Sequence, residues 1–184
     1  MLKKTIKLSG ILCAIAFATA LLLGLTNELT KDIIAQRQLQ NKNNAMAKVI
    51  PAETYNLIVN NPGVFELYEA KTGEKVAGYA VSLSQSGYGG DIDMIIGIDS
   101  TGKVSGISIT EMSETPGLGD NAKKPSFTDM FKGLEKNQVK LTNEGGKIQA
   151  LSGATVTSRA VTKGVSRALE IVEKEIAGGA ANEG

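Results

Sequence analysis

An apolar run opens the chain. Leu8 to Thr26 contains no charged residue and is broken only by small or hydroxylated residues such as Ser9, Gly10 and Thr19. That length matches what a helix needs to cross the hydrocarbon core of a bilayer. Polar sequence follows, with apolar residues recurring at Leu29, Ile33, Ile34, Leu39, Met46, Val49 and Ile50. This predicts a helix that continues from the apolar span, breaks around Asn41 to Asn44, and ends at Pro51, because proline disfavours helix at the residue before it. Glu53 to Val59 reads as a short helix closed by Asn60-Asn61-Pro62-Gly63. Strands are then predicted at Phe65 to Ala70, Lys75 to Ser84, Asp91 to Asp99 and Val104 to Thr110, joined by turns at Lys71-Thr72-Gly73-Glu74 and Ser100-Thr101-Gly102. The nearly continuous apolar run in the third of these strands predicts burial on both faces. Phe127 to Leu134 reads as a short helix. The last helix carries Val161, Val165, Ala168, Leu169, Val172 and Ile176 on one face, with Thr157 or Ser158 as its N-cap.

This order predicts one transmembrane helix followed by an α+β domain, a mainly antiparallel sheet with flanking helices. The expected division is an N-terminal segment at 1–7, a membrane helix at 8–26, a helical stalk at 27–62, the domain at 63–177 and a frayed tail at 178–184. Membrane lipid is therefore an expected partner. A cleaved signal peptide would show the same charged start. Its small-residue triplet, Ala18-Thr19-Ala20, lies inside the apolar run, however, and Thr26-Asn27-Glu28-Leu29 is a poor cleavage site. Lys3, Lys4 and Lys7 before the span favour a cytoplasmic N-terminus, but Lys31, Arg37 and Lys42 on the other side weaken that charge rule.

Composition narrows the chemistry. The formal net charge is +1 and basic residues are scattered, so no nucleic-acid partner is expected. There is no histidine and one cysteine, Cys13 within the apolar span. No metal or iron–sulfur site is expected from such a set, and no catalytic constellation is recognisable. Gly87 to Gly90 leads into a strand, not a helix, so it is not a dinucleotide fingerprint, and no phosphate-binding P-loop is present.

The candidate chemistry lies in Gln149-Ala150-Leu151-Ser152-Gly153-Ala154-Thr155-Val156-Thr157-Ser158. A helix start has unpaired N–H groups and the positive end of the macrodipole, and so stabilises an anion such as phosphate. Gly153 permits close backbone approach and Ala154 adds little bulk. Thr155 then presents a hydroxyl beside an anion site, with Thr157 as the competing hydroxyl. On these residues alone, a plain loop entering a capped helix is the favoured reading, since small polar residues are common before helices.

The motif resembles the flavin-attachment sequence of the FMN-binding domain family. Gly87-Tyr88-Gly89-Gly90-Asp91-Ile92, Ile95-Ile96-Gly97-Ile98-Asp99, Gly102-Lys103-Val104 with Ile107 and Ile109, and Glu114-Thr115-Pro116-Gly117-Leu118-Gly119 follow the family order. Its members include components of Rnf ion-pumping electron transport complexes and of the sodium-translocating NADH:quinone reductase. The compact length favours the Rnf type. Where many members have aspartate, this chain has Gln149.

The resemblance implies FMN held covalently by a phosphoester to Thr155, with Ser152, Gly153, Ala154 and Thr157 around the attachment. Glu114, Thr115, Gly117 and Leu118 are then flavin contacts, Glu114 bonding to the ring or ribityl chain. As an ordinary helix entry, the same block would place Thr115 as cap and Pro116 as first helical residue. The resemblance further implies an extracytoplasmic domain and a flavin transferase that supplies FMN from FAD. It also implies a place among the other membrane and peripheral subunits of a ferredoxin:NAD oxidoreductase that moves sodium ions or protons. The chain alone would not be catalytic. The alternative functions are an extracytoplasmic flavin electron-transfer domain, either like that of the sodium-translocating NADH:quinone reductase or stand-alone, and an anchored module that binds a phosphate-bearing ligand without redox chemistry.

Overall fold

The computed structural model describes residues 2–179. Helix α1 runs Leu2–Val49 and is helical through Asn41 to Asn44, so the expected break there is not found. Two compact units divide the chain after Asn41. In the first, Ile11, Leu12, Ile15, Phe17, Leu21, Leu22 and Leu23 are all exposed. A helix that is apolar all round and exposed all round suits lipid. Among the described residues, α1 is the helix long and apolar enough to cross a membrane.

The second unit begins at Lys42. Its sheet contains β1 (Thr54–Asn61), β2 (Phe65–Thr72), β3 (Lys75–Ser86), β4 (Asp91–Asp99) and β5 (Val104–Met112). The strands lie side by side in chain order, every pair antiparallel. The short helix α2 (Pro125–Thr128) and the long helix α3 (Thr155–Gly179) complete the fold. The expected α+β class and antiparallel sheet are what the structure has.

Both faces of the sheet are covered, as the apolar run in β4 predicts. Ile92, Met94, Ile96 and Ile98 enter one core with Leu67, Val81, Leu83 and the buried face of α3. Ile95, one residue out of phase, enters a second core with Ala70, Ala80 and the last turn of α1. Helix α3 contributes Val161, Val165, Ala168, Leu169 and Val172 to the first core. Ile176, placed on the same stripe by sequence, is exposed, because it lies a turn beyond the last buried contact. A Cβ on Gly164 would stand 2.7 Å from the sulfur of Met94, so this glycine lets α3 settle close onto β4.

Three further expectations need correction. Glu53 to Val59 is not a helix, since Thr54–Asn61 forms edge strand β1. A bulge between Leu57 and Val59 inserts one residue, so Tyr55 packs in the second core while Val59 packs against the first. That change of face hides the period-2 pattern. The helix expected over Phe127 to Leu134 starts earlier and stops sooner. After α2 a 3-10 turn covers Asp129–Phe131, and positive-φ Gly133 then turns the chain so that its N–H donates to the Val104 carbonyl. Gly178 and Gly179 of the expected tail belong to α3; the rest of it lies outside the described residues.

Pro51 does end α1, and the end is held on the sheet. Gly97 and Gly106 pair across β4 and β5 and open a gap beneath Val49. A Cβ on Gly97 would stand 2.5 Å from the Val49 carbonyl oxygen. Ser105 Oγ donates to that oxygen at 2.6 Å. Two turns earlier in α1, Lys42 pairs with Glu66 and lies 5.0 Å from the centre of the Tyr68 ring, while the Tyr68 hydroxyl donates to Glu66. Across the sheet, Asp99 closes the β4–β5 turn by accepting from Thr101 N–H, Thr101 Oγ1 and Lys103 N–H. Burial works to raise the Asp99 pKa, but these donors and the Lys103 charge outweigh it and hold the carboxyl below its ordinary value.

Gly97→Ala forces the new methyl against backbone, and is expected to lower unfolding stability of the detergent-solubilised chain by about 1–3 kcal/mol. Denaturant unfolding followed by circular dichroism measures this. An unchanged midpoint would mean that the end of α1 does not occupy the gap.

Candidate functional site

The site is built where the chain enters α3. Ala154 N–H donates to the Leu151 carbonyl at 3.1 Å, closing a turn around Gly153 at φ 73°. A side chain at that φ would be strained, which explains the glycine. Helix α3 begins directly afterwards at Thr155, not at the expected cap residues. Thr157 and Ser158 are inside the first turn and buried. Ser158 Oγ donates to the Ala154 carbonyl at 2.9 Å and accepts from Leu151 N–H at 2.9 Å, so it fastens the turn to the helix.

The two candidate hydroxyls therefore differ sharply. Thr157 is 1 % exposed, and its Oγ1 donates to Glu114 at 2.9 Å. Thr155 is exposed, and among the described residues its hydroxyl makes no hydrogen bond. The N–H groups of Thr155, Val156 and Thr157 find no carbonyl partner among the described residues, as expected at a helix start.

The second loop arrives after β5. Leu118 N–H donates to the Thr115 carbonyl at 3.1 Å, with Pro116 second and Gly117 at φ 77° third, the pattern of a type II turn. The alternative helix entry at Pro116 is thus not formed; a 3-10 turn begins only at Gly119. Asn121 Nδ2 donates to the Gly117 carbonyl at 2.7 Å and steadies the turn. Leu118 is exposed, yet a Cβ on Gly153 would lie 3.1 Å from its Cδ2. The two glycine turns are therefore neighbours.

Glu114 links these loops to a third. Its Oε1 accepts from Tyr88 N–H at 2.7 Å and from Gly89 N–H at 3.3 Å. The structure thus brings Ser152, Gly153, Ala154, Thr155, Thr157, Glu114, Gly117 and Leu118 into one region, with exposed Thr115 at the start of its turn. It also adds Val156, which the sequence pattern does not single out as a contact, and it brings in Tyr88 from Gly87 to Gly90, a glycine-rich stretch that the sequence already suggests shapes the same pocket. Val156 is 49 % exposed beside Thr155, and Tyr88 is 73 % exposed on the loop held by Glu114. Large exposed apolar side chains next to glycine turns were the available signal.

These residues suit a phosphate-bearing cofactor with a flat ring. A phosphate on Thr155 would sit in solvent at the positive end of a 25-residue helix, beside unpaired N–H donors. Leu118, Val156 and Tyr88 offer apolar surface near it. A separate cleft of about 480 Å³, lined by Glu135, Lys136, Asn137, Lys140, Ser166 and Glu170, lies farther along α3, and Lys136 there already pairs with Glu170 and Glu173. Its mixed charge does not match the phosphate chemistry of the helix start.

Residues 87–170 match the FMN-binding domain family, and residues 1–49 match the RnfG N-terminal region. Similar proteins cover most of the chain. The G subunit of the proton-translocating ferredoxin:NAD(+) oxidoreductase complex of Clostridium ljungdahlii is 36% identical, over 85% of this chain and 85% of its own. The G subunit of the Na(+)-translocating ferredoxin:NAD(+) oxidoreductase complex of Acetobacterium woodii is 33% identical, over 93% of each chain. The G subunit of the ion-translocating oxidoreductase complex of Stutzerimonas stutzeri is 32% identical, over 90% of this chain and 78% of its own. This chain belongs to the RnfG family, the G subunits of ion-translocating oxidoreductase complexes. Its fold is shared with the C subunit of the Na(+)-translocating NADH-quinone reductase from Parabacteroides distasonis, at 20% identity and a TM-score of 0.51, over 71% of this chain and 79% of that one.

Ser158→Ala removes the fastening of the Leu151 turn and leaves a partly buried N–H without its acceptor. It is expected to lower stability by about 1–3 kcal/mol. Faster amide exchange at Leu151 and Ala154 would show it; unchanged exchange would mean that the hydroxyl does not hold the turn.

Proposed function

We propose that this chain is a membrane-anchored electron carrier in which FMN is esterified through its phosphate to Thr155. The observation that carries the choice of residue is the contrast between two hydroxyls, with Thr155 exposed and unbonded while Thr157 is buried and donating to Glu114. The FMN-binding domain match supports the cofactor. The RnfG relatives support a role among the subunits of an ion-translocating ferredoxin:NAD oxidoreductase complex. The flavin supplies reversible electron transfer.

The residues of this chain do the holding. The first N–H groups of α3 stabilise the phosphate charge. Leu118, Val156 and Tyr88 shield a ring that would otherwise be surrounded by water, and the turns at Gly117 and Gly153 keep the backbone close. Among the described residues no group of three or more acidic, histidine or cysteine side chains could hold a metal ion, which supports attachment by a separate enzyme. A separate flavin transferase would use FAD. Its pyrophosphate bond breaks, AMP leaves, and the Thr155 oxygen loses its proton and takes the FMN phosphate. The family resemblance favours the extracytoplasmic side for the domain, with α1 as its anchor, and a tether would keep flavin there at high local concentration beside its electron partners.

The test is co-expression with a flavin transferase, followed by denaturing electrophoresis and flavin fluorescence. The wild-type band fluoresces, Thr155→Ala is dark, and Thr157→Ala fluoresces. A fluorescent Thr155→Ala band with a dark Thr157→Ala band would move the attachment to Thr157. A dark wild-type band would contradict covalent attachment.

A further inference from the structure

Glu114 is where three distant stretches of chain meet. It follows β5, and it accepts from Tyr88 and Gly89 in the β3–β4 connection and from Thr157 in the first turn of α3. Both carboxylate oxygens are thus used within the chain, which leaves little for the ring or ribityl contact expected from sequence. No ion pair among the described residues includes Glu114. Its charge is met by backbone N–H groups and a hydroxyl, arrangements that make strong hydrogen bonds.

The glycines around it make room for this contact. A Cβ on Gly87 would stand 2.2 Å from Oε1. One on Gly119 would stand 2.7 Å from Oε2 and 2.8 Å from Thr157 Oγ1. The β3–β4 loop and the turn after Thr115 are each shaped to admit the same carboxylate.

We propose that Glu114 is a positioning residue. It clamps the Tyr88–Gly89 loop and the Thr115–Gly119 turn onto the first turn of α3, and so sets where Tyr88 and Leu118 stand relative to Thr155. It acts through geometry, not through its charge. The consequence for the flavin rests on the function proposed above, whereas the clamp itself is present without flavin and can be tested without it.

The full chain in detergent is compared as wild type, Glu114→Ala, Glu114→Gln and Thr157→Val. Amide exchange is measured on flavin-free protein and visible circular dichroism on protein loaded by a flavin transferase. Losing a bond to a carboxylate should speed exchange at Tyr88 by about tenfold or more in Glu114→Ala. The flavin band should change while the attached mass stays the same. Glu114→Gln should restore both readouts, because the amide oxygen accepts the two N–H bonds and the amide nitrogen donates to Thr157 Oγ1. Thr157→Val should alter the flavin band while exchange at Tyr88 stays near wild type, since only the arm to α3 is cut.

Unchanged exchange at Tyr88 in folded Glu114→Ala overturns the clamp. A Gln variant as disturbed as the Ala variant overturns positioning in favour of charge. A flavin band unaltered in Thr157→Val overturns the link to the site, and this arm decides the matter if Glu114→Ala does not fold. Absence of covalent flavin in the wild type would count against the proposed function alone, because the exchange measurements stand apart from it.

Discussion

Val161, Val165, Ala168, Leu169 and Val172 are drawn out of water by a single packing surface, the face of the sheet that carries Leu83, Met94 and Ile96. Each large apolar side chain so buried is worth about 1.5–3 kcal/mol before the entropic cost of ordering it. Gly164 lets the helix come close enough for that contact. Once the buried face is set, helical geometry sets the rest. Thr157 and Ser158 turn inward with the stripe, and Thr155 is left outward at the first helical position. The exposure of the candidate acceptor is therefore a consequence of core packing several residues away.

The sheet serves two masters because it is buried on both sides. One face supports α3 and the loops of the site; the other receives the last turn of α1 through the gap at Gly97 and Gly106. Backbone approaches backbone at that gap, and Ser105 satisfies the last helical carbonyl where Pro51 prevents the helix from continuing. The same device recurs at the site, where glycines at 87 and 119 admit a carboxylate. In both places the missing side chain is what permits a polar contact to form under cover.

Much of this was legible in the sequence because it depends on local period. The strands from Phe65 to Thr110 alternate as strands do, and the stripe on α3 repeats as helices do. Edge strand β1 was not legible. Its bulge changes the face of Val59 relative to Tyr55, and the remaining spacing imitates a helical turn. The helix start was not legible for a different reason. Thr157 and Ser158 are good capping residues in isolation, but their hydroxyls are engaged by Glu114 and by the Leu151 turn. Glu114 lies 43 positions from Thr157, and no local pattern reports such a pairing. For the same reason, the roles of Tyr88 and Gly89 as donors could not be read from the chain. The motif marked the helix start as the candidate region, and the structure supplies the contrast between the two threonines.

The most direct measurement is peptide sequencing by mass spectrometry on protein taken from its native host. Cleavage after Lys147 and Arg159 releases residues 148–159, which contain Ser152, Thr155, Thr157 and Ser158. The proposed function predicts that this peptide carries one added FMN, with fragment ions placing it on Thr155. The same peptide recovered wholly unmodified, or with the added mass on Thr157, would contradict that assignment.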